Sequence, residues 1–141
     1  MSGGPPLNAF ARGIRDTLLR SHPEWAGHTR TLADGELEVK VPAPEGSRAA
    51  HLVIATARGS EIRLRLAPRH AHHPVGSEAE MRRVIAALLE DEAFLAVVTS
   101  GDDWIQTSLL RPGEELVLAN GQVANVFSWS GKHDRIVTPP P

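Results

Sequence analysis

The chain has 141 residues, 41% of them hydrophobic and 23% charged, with a net charge of -2 and no cysteine. That is enough chain to bury a core without staples, and the composition is neither that of a disordered nor of a fibrous protein. Disulfides, thiolate metal sites and cysteine catalysis are excluded, and a charge this close to zero argues against a non-specific grip on nucleic acid.

Residues 1–6 (Met1-Ser2-Gly3-Gly4-Pro5-Pro6) read as a flexible arm. They carry neither the positive region nor the apolar run of a secretory signal. No apolar run is long enough to cross a membrane as a helix, so a cytoplasmic location is expected. Leu7, Phe10, Ala11, Ile14 and Leu18 recur at helical spacing and predict an amphipathic helix over residues 7–21, ending near His22-Pro23. Trp25 is expected to close that helix onto a sheet. Asp34-Gly35 is a turn signal. Leu37, Val39 and Val41 then alternate with charged residues as a half-buried strand.

Residues 49–57 predict a second strand with little alternation, suited to a central position. Gly59-Ser60 turns into a third, in which Ile62, Leu64 and Leu66 face inward and Glu61, Arg63 and Arg65 outward. These three strands form a meander. Ser77 and Glu80 make a capping box for a second helix over residues 77–91, with Met81, Val84, Ile85, Leu88 and Leu89 on its apolar face. Phe94–Val98 and Trp104–Leu110 follow as strands, the second with Ile105, Thr107 and Leu109 on one face. Asn120-Gly121 predicts a type I′ hairpin joining 116–119 to 122–127. Residues 135–137 add a last short strand. The predicted fold is α+β, with one mostly antiparallel sheet of about six strands packed with two main helices. A single domain over residues 7–137 is expected, followed by a Pro-rich tail, 138–141.

Three of the seven histidines, His70, His72 and His73, fall beside Arg69 just past the third strand. On a continuing strand His70 and His72 would share a face. With His51 on the neighbouring strand, or with His73, His133 or a carboxylate, they could hold a metal ion or move a proton. Against this stands the simpler expectation of edge histidines bonded to backbone, so no metal and no cofactor are assigned. Ser100–Trp104 sets two carboxylates beside a tryptophan, which reads as a solvated turn with an anchoring aromatic. In Phe127–Asp134, Ser128 or Ser130 with His133 and Asp134 has the composition of a catalytic triad. Residues so close along the chain do not converge as a triad does.

Taken in order, Leu52-Val53-Ile54 and Glu61-Ile62-Arg63-Leu64 lead into Arg69-His70-Ala71-His72. The Glu80–Glu90 helix comes next, then Phe94–Val98 with Asp103-Trp104, and the closing Val126–Asp134 stretch. This arrangement resembles small bacterial immunity-type proteins of polymorphic toxin systems over about residues 35–137. The resemblance implies a partner-binding protein that neutralises a toxin domain and performs no catalysis. The alternative is a small metal- or histidine-dependent hydrolase built on His70 and His72. The residues expected to bind a protein partner are Arg69, His70, His72, His73, Trp104, Trp129, Lys132, His133 and Asp134. The histidine loop and the Trp129–Asp134 turn are expected to share one surface patch. No nucleic-acid or membrane partner is expected.

Overall fold

A computed structural model describes residues 6–66 and 72–140. Helix α1 spans Ala9–Ser21 and helix α2 spans Glu78–Leu89, with a 3₁₀ segment at Pro23–His28 between α1 and the first strand. The strands are β1 (Thr29–Thr31), β2 (Leu37–Pro42), β3 (His51–Ala57), β4 (Glu61–Arg65), β5 (His73–Val75), β6 (Phe94–Ser100), β7 (Asp103–Leu110), β8 (Gln122–Phe127) and β9 (Arg135–Val137).

Among the described residues every strand pairing is antiparallel, but the strands form two sheets: five in the order β1-β2-β3-β4-β5, and four in the order β7-β6-β8-β9. The single sheet of about six strands expected from the sequence is therefore corrected. Its meander is present as β2-β3-β4, widened at each edge by a three-residue strand, β1 and β5. Such short strands carry almost no period-two pattern to read. The two sheets meet where His73 of β5 reaches β7, its Nδ1 lying 3.3 Å from the Thr107 carbonyl oxygen.

Alternation sorts the side chains of β2 and β4, while in β3 Val53 of the outer face is buried as well. Leu37, Val39, Leu52, Ile54, Ile62 and Leu64 are buried on the meander's inner face. They share one core with Ile14 and Leu18 of α1, Met81, Ile85 and Leu88 of α2, and Leu95, Val97 and Phe127 of the second sheet. β6 is buried on both faces, and Phe94 and Ala96 pack into a smaller cluster with Leu110 and Val126. This explains why Phe94–Val98 is a continuous apolar run rather than an alternating one. Trp25 is buried and stacks on His22 at 3.9 Å, closing the end of α1.

Both helix starts are capped by side chains. Asn8 accepts from Ala11 N at 2.8 Å, and Ser77 Oγ accepts from Glu80 N at 3.1 Å. The Glu80 carboxylate reaches back one residue further than the capping box predicts, to Gly76 N at 2.8 Å. Glu36, which carries no local signal in the sequence, is buried, takes a bond from Asn8 Nδ2, and lies 3.3 Å from Gly59 N. It ties the β3–β4 turn to the start of α1. Glu36→Ala would strip these donors of their acceptor; a loss of about 2 kcal/mol in denaturant unfolding is the expected result.

The Asn120-Gly121 hairpin does not form. Residues 116–119 are not a strand, and β8 pairs instead with β6 and β9. A turn is present, with Gln122 N donating to Ala119 O at 3.1 Å, but only Gly121 of the central pair has positive φ (85°). A type I′ turn needs positive φ at both positions; positive φ at the second alone is the type II pattern, whose twist splays flanking strands.

Candidate functional site

The residues singled out from the sequence fall into two groups at opposite ends of β6. Trp104 pairs with Thr99 near the end of that strand, while His133 stacks at 5.0 Å on Phe94 at its start. Five residues of strand separate them by roughly 17 Å. The expected common patch divides accordingly. Arg69 and His70 lie outside the described residues.

The first group centres on Trp104. The β6–β7 ladder shifts register after Val98, so that Val98 faces Gln106, Thr99 faces Trp104, and Ile105 is the extra residue of a β-bulge. A bulge re-aims side chains. Ile105 consequently leaves the face that strict alternation would give it beside Thr107: Thr107 is buried, while Trp104 is 43% and Ile105 49% exposed. The indole is held in place, with Nε1 donating to Thr107 Oγ1 at 3.0 Å. His72 lies against it, ring centroids 5.2 Å apart. His72 also borders a shallow depression of about 280 Å³ on the outer face of the first sheet, lined by Val53, Ala55, Arg63 and Arg65. Next to it, His73 points the other way, toward the Thr107 carbonyl that joins the sheets.

The second group is tied together by hydrogen bonds between loops. Ser128 is fully buried, and its N–H and Oγ both donate to Asp134 Oδ1, at 2.6 and 3.0 Å. The other carboxylate oxygen of Asp134 accepts from Arg48 N at 2.9 Å. Ser47 Oγ donates to Ser128 O at 3.2 Å, and Ser130 N to Asp91 Oδ1 at 3.2 Å. Asp91 follows α2 with φ at 56°, so its side chain ties that helix end to the turn. Ser128, His133 and Asp134 do not form a relay: Ser128 Oγ bonds the carboxylate and accepts from the backbone N–H of His133, while the imidazole lies on Phe94. Trp129 is half-buried against the main core; Lys132 and His133 are exposed at the rim of a polar groove of about 690 Å³ that also includes Glu114, Glu115 and Arg135. Asp134→Ala removes three hydrogen bonds at once. A loss of about 3 kcal/mol is expected in urea unfolding, with the slope of the transition unchanged.

His51 sits at the start of β3, opposite Pro42, on the outer face of the first sheet. Its pKa is lowered from 6.5, first by lost hydration and then by the positive charges of Lys40, Arg65 and His28. Cations around an imidazole oppose a second cation, which disfavours His51 as a metal ligand. Among the described residues no group of three His, Asp or Glu side chains is placed to hold a metal ion. A folded pKa below the unfolded value means the unfolded chain binds the proton more readily. The stability linked to His51 is therefore complete above about pH 6.5 and declines as pH falls below it. In an NMR titration the His51 ring should show a midpoint below 6.5, and Lys40→Gln should move it upward.

No protein-family model, curated protein or solved structure matches the chain. The architecture is thus defined by its own geometry: a mixed α/β protein with two antiparallel sheets and two substantial helices. Among the described residues no helix is long and apolar enough to cross a membrane.

Proposed function

We propose that this chain is a protein-binding domain of the immunity type, which neutralises a toxin domain by covering it with the surface around Trp104. One observation carries the binding reading. Trp104 and Ile105 are the two large apolar side chains exposed side by side, on a strand at the edge of a rigid sheet, with the indole fixed by Thr107. A pre-ordered tryptophan binds at little entropic cost, and tryptophan with arginine dominates binding hot spots. His72 lies against Trp104 and borders the depression lined by Arg63 and Arg65. The toxin reading rests on the sequence resemblance, and a cytoplasmic site of action goes with it.

The test is co-expression with a toxin domain encoded beside this chain. Rescue of growth and a one-to-one complex of the purified proteins are expected, and Trp104→Ala should weaken both. Intact killing in the presence of the wild-type chain, with no complex, would refute the reading.

A further inference from the structure

The outer face of the first sheet is charged out of proportion to the chain. Its register places Arg30 and Glu38 on one side, Lys40, Val53 and Arg65 in one row, and Ala55, Arg63 and Pro74 in the next. Pro42, His51, Ala57 and Glu61 complete the face. Four basic side chains thus stand against two carboxylates, in a chain whose net charge is -2. Both carboxylates are already engaged: Glu38 with Arg30 at 2.8 Å, and Glu61 with Arg63 at 2.9 Å. The lowered pKa of His51, to which Lys40 and Arg65 contribute, reports the same positive field.

We infer that this face, from Lys40 across Arg65 and Arg63 to the rim at Trp104, is a cradle for an extended acidic segment of a polypeptide partner. The inference deepens the protein-binding reading above and rests on it. Three features select the occupant. Arg63 and Arg65 are two residues apart on one strand, hence about 7 Å apart on one face, which is the spacing of alternate side chains in an extended peptide. Lys40 lies two strands from Arg65, about 10 Å away, so the cations are spread too widely for one small anion. The floor between them is Val53 and Ala55, small aliphatic side chains that suit a peptide. A nucleic-acid strand would call for a longer run of cations along its phosphates. Guanidinium forks pair with carboxylates in two parallel bonds, which fixes register as well as sign. The mild acidity of the chain as a whole would favour a basic partner; the local field of this face selects the opposite charge.

The test uses the full chain and a fluorescein-labelled ten-residue peptide of alternating glutamate and threonine, read by anisotropy. Saturable binding is expected, weakening at least about tenfold from low to high salt and about tenfold in the Arg63→Glu, Arg65→Glu double variant. Lys40→Glu, at an exposed position, gives a second variant should the double one fail to fold, and should also weaken binding. Arg111→Glu, outside this face, should leave affinity unchanged. No saturable binding, equal binding by the charge-reversed variants, tighter binding of a single-stranded oligonucleotide, or full competition by equimolar inorganic phosphate would each overturn the inference. The peptide assay involves no toxin, so its failure removes the cradle alone, whereas failure of rescue removes the immunity reading alone.

Discussion

Gly131→Ala should destabilise the protein by about 3 kcal/mol or more, among the largest effects of any single methyl group added to this chain. Gly131 has φ at 83°, in the left-handed region that costs a side chain roughly 1 kcal/mol. An added Cβ would lie 2.6 Å from Ser47 Cα and 2.8 Å from Gly46 O, both backbone atoms that cannot step aside alone. The turn at 128–134 and the loop at 44–50 would have to separate. That separation would pull on the Asp134 bond to Arg48 N and the Ser47 bond to Ser128 O. Urea unfolding measures the loss. A change under about 1 kcal/mol would mean that the two loops are not locked together as described. The residues Lys132, His133 and Asp134 were expected to bind a partner; here the backbone around them joins the loop before β3 to the end of β8, and only Lys132 and His133 remain exposed.

If the proposed toxin domain is the partner, Trp104→Ala should cost about thirtyfold in affinity for it, about 2 kcal/mol, the size of a hot-spot truncation. Its effect on folding should be small, about 1 kcal/mol or less, because the side chain is 43% exposed and gives up one hydrogen bond, to Thr107. The two effects separate a binding role from a structural one. Trp129→Ala should behave in the opposite way, because Trp129 packs against the main core. Its stability should fall by about 2 kcal/mol, with affinity little altered among the molecules that remain folded.

The elements with strong local signals were legible in the sequence. Both helices are where their apolar spacing puts them, the second also where its Ser77–Glu80 cap does; β2 and β4 follow their alternation, and β3 is a continuous run in the centre of its sheet. The division into two sheets was not legible, because it depends on where β5 stops pairing and on which neighbour β8 chooses. β8 chose β6 and β9 over the nearer residues 116–119, and Asn-Gly in a type II turn could not enforce the hairpin. Glu36 was missed because a buried carboxylate looks like any other surface glutamate until its donors, Asn8 and Gly59, are brought to it from distant parts of the chain. Trp104 was legible as a candidate anchor. Its partner Ile105 was not, since only the bulge turns it out of the face it would share with Thr107. The charge of the first sheet's outer face was visible as alternating Arg63 and Arg65, but the addition of Lys40 and His51 required the register of three strands.

Amide hydrogen exchange on a complex with the proposed toxin partner tests the central claim most directly. The account predicts added protection at residues 103–106, 72–74 and 61–66, around Trp104 and the basic face, and little change at 128–135. Protection confined to 128–138 and the groove beside Glu114, with residues 103–106 unaffected, would contradict it.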